Sequence, residues 1–197
     1  MTPHDWGLLA QASYDAAPDI GQIDSASRAI VRQTDAGLVI AFRGSDNERC
    51  WAADFDAFPM DVDGIGKLHR GIWQAWGAMA SPVLAAINGK PVTLVGHSLG
   101  AALALMCAIE MTVSGNAPVA VWGFAPPRIS PGPEFAALLE HVPIDLYRNG
   151  NDVVPMVPPD WYHPSPLKAI GTAELPFDNP FDHEMRRYLK ALAPVAA

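Results

Sequence analysis

Hydrophobic positions along the chain follow two periods, which predict strands and helices in alternation. Apolar runs of roughly four to eight residues, bounded by turn residues, are typical of strands. Such runs occur at 28–33, 38–42, 92–96, 119–124 and 144–147. The first two flank a turn-forming segment at 34–37, so we expect them to form an antiparallel hairpin.

Between these runs, apolar residues recur every three or four positions, as they do on one face of a helix. Thr2, Pro3 and Asp5 are the residues expected at a helix start, and Pro82 is expected to kink or restart a later helix. The later helices are predicted at 68–88, 99–111, 135–141 and 182–192. Strands alternating with helices favour an α/β class, a mostly parallel sheet with helices on both faces and an antiparallel N-terminal hairpin.

Composition limits the kinds of protein that this chain can be. Its 197 residues suit a single domain over 1–197, and 50% apolar with 17% charged residues excludes a disordered chain. The net charge of -8 argues against nucleic acid as a partner. The longest nonpolar stretch, 99–109, is too short to cross a bilayer, which leaves transient contact with lipid surfaces as an option.

The start of the sequence and its cysteines suggest a cellular location. Residues 1–6 have neither a basic nor an apolar segment of the kind found in a signal peptide. Cys50 and Cys107 lack metal-site spacing and are too few for a disulfide framework. We therefore expect a cytoplasmic protein with free thiols, while export by another route stays open.

The motif with the clearest chemistry is Gly96-His97-Ser98-Leu99-Gly100, a G-x-S-x-G pentapeptide. It lies between an apolar strand and an apolar helix, where the nucleophile turn of a hydrolase is found. Glycines on both sides leave room for a sharp turn that raises the serine hydroxyl above the sheet. The sequence therefore predicts Ser98 as a nucleophile, with the backbone N–H of Leu99 as a donor to a developing oxyanion.

A serine nucleophile needs a base and a carboxylate that orients the base, in the chain order serine, acid, histidine. Asp152 directly follows a predicted strand, so it lies at the same sheet edge as Ser98. For the base, His163 and His183 are about equally favoured by the pattern alone. Ser45 follows another strand and a glycine, and is a candidate for the second oxyanion donor.

The chain resembles the class 3 lipases, a family of α/β-hydrolases. The shared stretches occur in the family's order along nearly the whole chain: 42–45, 51–54, 69–71, 96–101, 127–128, 151–155 and 182–183. The resemblance implies that Ser98, Asp152 and His183 form the catalytic triad and that His163 is structural. It also implies Ser45 as an oxyanion donor, residues 46–58 as a lid, and Asp54 as the acid that holds the serine hydroxyl.

Two departures from the family pattern bear on loop geometry and on specificity, respectively. Ala125 replaces a usual glycine, and the lid segment carries four polar residues at 46–49. A polar lid gains little from contact with oil, so we expect weak interfacial activation and a preference for soluble or short-chain esters. Lid aromatics at positions 51, 55 and 58 are predicted either to line the acyl site or to cover the core. The predicted substrate-binding residues are Trp51, Phe55, Met156, Val157, Trp161 and Phe181.

Together these features predict a serine carboxylic-ester hydrolase that works through an acyl-enzyme on Ser98, without cofactor or metal. The partner is a small ester or a lipid, such as an acylglycerol. Two alternatives stay open: a thioesterase or acyltransferase with the same triad, and a non-catalytic binding protein on the same scaffold.

Overall fold

A computed structural model describes residues 1–25, 27–45 and 58–194 of the chain. The strands are β1 Ala29–Thr34, β2 Gly37–Phe42, β3 Pro59–Val62, β4 Gly66–His69, β5 Val92–His97, β6 Ala120–Phe124, β7 Ile144–Asn149 and β8 Leu167–Ile170. The α-helices are α1 Pro3–Asp15, α2 Arg70–Gly77, α3 Ala80–Ile87, α4 Leu99–Val113 and α5 Met185–Leu192. Short 3₁₀ turns occupy Glu134–Leu139, Val154–Met156 and Phe181–His183.

Within the described residues, a six-stranded sheet has the order β1-β2-β5-β6-β7-β8. Strands β1 and β2 pair antiparallel as a hairpin, and every later neighbour in this sheet pairs in parallel. Strands β3 and β4 form a separate antiparallel pair. The predicted α/β class, with its mostly parallel sheet and antiparallel N-terminal hairpin, is confirmed.

Helices cover both faces of the sheet, because side chains alternate between the two faces along each strand. On β2, Ile40 and Phe42 belong to the core shared with α2, α3 and α4. Val39 and Ala41 point the other way and belong to the core shared with α1 and α5. Helix α4 is buried almost all round, as its apolar sequence predicts. Its N-terminus begins directly after β5, at the edge of the sheet where the strands end.

The predicted helix at 68–88 differs from the observed elements. Residues 66–69 form β4, and two helices follow with a break at residues 78 and 79. Pro82 lies in the first turn of α3, where its missing N–H removes no intrahelical hydrogen bond. The two four-residue strands of the β3–β4 pair, and strand β8, were not predicted, and α5 begins at Met185 rather than at residue 182.

Candidate active site

Ser98 occupies the turn between β5 and α4 in a strained backbone conformation. Its φ is 58° and its ψ is -129°, a region that residues other than glycine rarely adopt. The Ser98 N–H donates to the Phe124 carbonyl at 2.9 Å, which ties the turn to β6. Such strain persists only where the surrounding structure enforces it, and it is typical of functional sites.

Two glycines of the motif make this turn sterically accessible. A Cβ placed on Gly96 would lie 2.3 Å from the Gly100 carbonyl carbon, and one on Gly100 would lie 2.2 Å from the Phe42 carbonyl oxygen. Both obstacles are backbone atoms, which have little freedom to move. The glycines therefore allow α4 to begin directly against β2 and β5, with Ser98 at the point of closest approach.

The structure brings Ser98, His183 and Asp152 together in one hydrogen-bonded chain. His183 Nε2 lies 2.9 Å from Ser98 Oγ, and His183 Nδ1 lies 2.8 Å from Asp152 Oδ2. All three side chains are buried. An ionised carboxylate can only accept, so Nδ1 carries the ring proton and Nε2 is left to accept the Ser98 hydroxyl proton. This is the tautomer that a general base for Ser98 would require.

Asp152 is held by two further donors. The Val154 N–H donates to Oδ1 at 2.9 Å, and the Tyr188 hydroxyl donates to Oδ2 at 2.6 Å. Burial, followed by the charge of Asp152, raises the pKa of Tyr188 well above its ordinary value, so this phenol remains a neutral donor. The carboxylate accordingly has a fixed orientation towards His183.

The loops that carry Asp152 and His183 meet at a second buried carboxylate, that of Asp182. It accepts from the Asn151 N–H at 3.0 Å, from the Glu174 N–H at 3.1 Å and from Asn179 Nδ2 at 3.1 Å. Burial raises the pKa of Asp182, but these hydrogen bonds together lower it more, so the net pKa lies below the ordinary value. The ionised Asp182 side chain therefore links the acid loop to the residue next to the base.

The two predicted oxyanion donors are each adjacent in sequence to a residue at the turn: Leu99 follows Ser98, and Ser45 follows Gly44. Leu99 is the first residue of α4, so its N–H belongs to the set that has no acceptor within the helix. Gly44 contacts the nucleophile closely: a Cβ there would lie 3.1 Å from Ser98 Cβ. Ser45 follows Gly44 directly and is half-buried. This approach brings the end of the β2 segment beside the nucleophile.

The other candidate base, His163, lies in a different environment. Its Nε2 donates to the Pro155 carbonyl at 2.8 Å, and its Nδ1 is buried with no hydrogen-bond partner in the described residues. Burial lowers the pKa of His163 to about 4. The structure therefore joins His183, and not His163, to Ser98.

Four of the six predicted substrate-binding residues are among the residues that the structure describes. Met156, Val157 and Trp161 are half-buried, and Phe181, next to Asp182, is exposed. The Trp161 ring lies 5.4 Å from that of His69, the residue that caps α2. The remaining predicted lid and acyl-site residues, Trp51, Asp54 and Phe55, lie outside the described residues.

Three residues next to the triad were not predicted to have a role there: Tyr14, His97 and Tyr188. Tyr14 lies on α1, Tyr188 lies on α5, and His97 is the last residue of β5. The sequence offers one signal for the two tyrosines: a tyrosine on the apolar face of a helix is buried, and its hydroxyl then usually needs a hydrogen-bond partner.

Comparison with known proteins reveals similarity to fungal lipases. A secreted mono- and diacylglycerol lipase of Penicillium cyclopium is 29% identical over 191 residues, which cover 84% of this chain and 61% of that protein. A secreted mono- and diacylglycerol lipase of Malassezia globosa is 36% identical over 114 residues, 50% of this chain and 37% of that protein. The solved triacylglyceride lipase of Rhizomucor miehei superposes with a TM-score of 0.69 at 22% identity, covering 91% of this chain and 90% of that chain. The chain thus spans about three-fifths of the length of the Penicillium relative.

The expected cytoplasmic location is wrong. The similar proteins of Penicillium and Malassezia are named as secreted lipases, which points to the extracellular space. The expectation relied on the first residues of this sequence, and these do not determine where the protein works. In the part of the chain that the structure describes, no helix has the length and apolarity that a membrane span requires.

A family model supports the similarity independently of any single relative. The model described as lipase (class 3) matches residues 39–161, more than half of the chain. The match includes the hairpin strand β2, the turn at Ser98 and the loop at Asp152. The chain belongs to the class 3 lipase family.

Proposed function

We propose that the protein is a serine carboxylic-ester hydrolase that forms an acyl-enzyme on Ser98. One observation carries the proposal: the continuous hydrogen-bond chain from Ser98 through His183 to Asp152, at 2.9 and 2.8 Å. It combines a nucleophile, a base and an orienting carboxylate in the arrangement that acyl transfer requires.

The proposed reaction follows from the position of each proton. Ser98 Oγ attacks the ester carbonyl while His183 Nε2 takes the hydroxyl proton, and Asp152 stabilises the imidazolium that forms. The Leu99 N–H and Ser45 donate to the oxyanion. His183 then returns the proton to the leaving alcohol. Water, activated by the same imidazole, attacks the acyl carbonyl, and the acid leaves with Ser98 regenerated.

For the substrate, we propose mono- and diacylglycerols or esters with short acyl chains. The names of the Penicillium and Malassezia relatives support partial glycerides. The exposed side chains of Phe177 and Phe181, in the loop that ends at His183, supply apolar surface near the base. This surface suits an acyl chain that approaches Ser98 from the sheet edge.

The test is a hydrolysis profile on p-nitrophenyl esters of increasing chain length, extended to monoacylglycerol, diacylglycerol and phosphatidylcholine. We expect Ser98→Ala to lower kcat by about 10⁴ to 10⁶. The matched control is Ser114→Ala, at the exposed C-cap of α4, which should leave kcat unchanged.

Labelling with a serine-directed phosphonate tests the nucleophile directly. We expect one adduct, on Ser98. Folded protein that hydrolyses no ester and forms no adduct would instead support a non-catalytic scaffold. Faster turnover of thioesters, or acyl transfer to an added alcohol in preference to water, would support the alternative enzymes.

A further inference from the structure

We propose that Tyr14 and His97 form a positioning pair. The pair holds His183 and Ser98 in a fixed position relative to residues 43–45, called here the oxyanion segment. The proposal rests on the proposed function, because it concerns the geometry of that reaction. The mechanism above has neither residue transfer a proton or bind the substrate. His97 is the last residue of β5, and Tyr14 lies near the end of α1.

His97 forms a hydrogen bond with the backbone of His183. Its Nε2 lies 2.8 Å from the carbonyl oxygen of His183, and its Nδ1 lies 2.8 Å from the Tyr14 hydroxyl. A carbonyl only accepts, so Nε2 carries the proton and Nδ1 is left to accept from Tyr14. The Tyr14 hydroxyl therefore matches the tautomer that donates to the His183 carbonyl.

His97 is neutral beside His183, which becomes charged in the proposed reaction. The imidazole centroids of His97 and His183 lie 4.7 Å apart, and both rings are buried. Burial, followed by the charge of His183, lowers the pKa of His97 well below its ordinary value. His97 therefore supports His183 without adding a second positive charge or competing for the Ser98 proton.

Tyr14 extends the same contact to the oxyanion segment. A Cβ on Gly44 would lie 2.1 Å from the Tyr14 hydroxyl and 2.8 Å from the His97 carbonyl oxygen, so the backbone at Gly44 packs directly on both residues. The neighbouring Arg43 donates to the Tyr14 carbonyl at 3.2 Å, and its guanidinium lies 5.4 Å from the Tyr14 ring centroid. One tyrosine thus contacts the oxyanion segment and, through His97, the base.

The arrangement requires hydrogen bonds and not only volume. An apolar side chain at position 97 could fill the space between Tyr14 and His183, but it would leave the tyrosine hydroxyl and the His183 carbonyl without these partners. A glutamine presents an amide N–H and a carbonyl oxygen with a separation close to that of the two imidazole nitrogens. An asparagine has the same groups on a shorter side chain and cannot reach both partners.

The experiment compares His97→Leu, His97→Asn and His97→Gln, with kcat and KM measured on a soluble ester that the wild type hydrolyses. We expect Leu and Asn to lower kcat by roughly 10- to 100-fold with little change in KM, because the ground-state contacts of the substrate are untouched. Gln should restore most of the lost rate. Tyr14→Phe should give a smaller loss of kcat than His97→Leu, since the Nε2 donor remains.

A second readout follows the base directly. The His183 Nδ1 proton, bonded to Asp152, should give a far-downfield ¹H NMR signal in the wild type and in His97→Gln. We expect this signal to shift or broaden in His97→Leu and His97→Asn as the ring loses its fixed position. Circular dichroism and thermal unfolding establish that each variant is folded, and if Leu prevents folding, the comparison of Asn with Gln decides.

Two results would overturn the proposal. The first is an equal loss of kcat in Gln, Asn and Leu, which would show that only the ring's packing matters. The second is wild-type kcat and an unchanged downfield signal in His97→Leu. A wild type that hydrolyses no ester is a separate outcome, because it rejects the proposed function, whereas the NMR comparison still tests the position of His183.

Discussion

Replacing Tyr188 by phenylalanine separates the stability of the triad from its catalysis. The change removes one hydroxyl, which donates to Asp152 Oδ2 at 2.6 Å in a fully buried site, and leaves the ring packed as before. Asp152 keeps its bonds from Val154 N–H and His183 Nδ1. We therefore expect Tyr188→Phe to weaken the fold more than the chemistry.

The magnitude follows from the type of hydrogen bond. A hydrogen bond to a charged group contributes about 1.5–3 kcal/mol to stability. For a chain of this size, each kcal/mol moves Tm by about 2–4 °C, so Tm should fall by about 3–12 °C. The Tyr188 hydroxyl donates to Asp152 before and during the proposed reaction, so most of the loss is common to the ground state and the transition state. The drop in kcat should accordingly stay below about tenfold.

The pH dependence of unfolding supplies an internal check. Burial and the charge of Asp152 raise the pKa of folded Tyr188, whereas the unfolded tyrosine keeps the ordinary value of 10.0. Above that pH the unfolded state binds fewer protons than the folded state, so the contribution of Tyr188 is full below pH 10 and falls as the pH rises. The stability deficit of Tyr188→Phe should therefore narrow above pH 10.

The assay is urea unfolding between pH 7 and 11, together with kcat on a soluble ester at pH 8. Asp152→Asn is the reference, since its amide can donate to the imidazole and favour the wrong tautomer, with a loss of about 10⁴ in kcat. A Tyr188→Phe protein of wild-type stability would refute the reasoning. So would a kcat loss near that of Asp152→Asn, because it would give the hydroxyl a part in the reaction itself.

Three further predictions concern the turn, the loops and the lid. Gly100→Ala should destabilise the fold by about 3 kcal/mol or more, since the new Cβ meets backbone atoms, whereas Gly77→Ala, with nothing within 4 Å, should cost nothing in the same thermal unfolding assay. Asp182→Asn should lower the free energy of unfolding at pH 7. Because the pKa of folded Asp182 lies below its unfolded value of 3.8, the difference in unfolding free energy from the wild type should shrink as the pH falls below 3.8. Activity on a short-chain ester should rise smoothly across its solubility limit, and a sharp jump there would contradict the expected weak interfacial activation.

The parts of the fold that were predicted correctly rest on local patterns. The correctly predicted strands of the six-stranded sheet are largely apolar runs bounded by turn residues, and β5 is buried at every position. The turn at Ser98 is predicted correctly because the glycines that its close packing requires lie within one five-residue motif. Strands β3 and β8 are not predicted because each is only four residues long and has no fully buried position, so its apolar residues are too few to indicate a strand.

A departure from the family pattern also acquires a physical meaning in the structure. Ala125 replaces a glycine that is usual in the family, and its φ of 53° is in the left-handed region that favours glycine. The sequence identifies the residue as unusual for the family, but it does not give the backbone conformation of the loop. In this chain the loop adopts a left-handed conformation at an alanine, and the Ala125 N–H donates to the Tyr147 carbonyl at 3.0 Å.

The sequence pattern alone could not distinguish the two candidate bases, His163 and His183, and the structure shows why. Both His163 and His183 place one ring nitrogen against an oxygen at 2.8 Å in a protected site. The acceptor for His163 is a neutral carbonyl, which cannot offset the cost of a buried imidazolium, and the pKa of His163 falls to about 4. The acceptor for His183 is a carboxylate, which can stabilise the imidazolium that the proposed reaction requires. That acceptor is 31 residues away in sequence, so the difference between a structural histidine and a base depends on the sheet that brings Asp152 to the same edge.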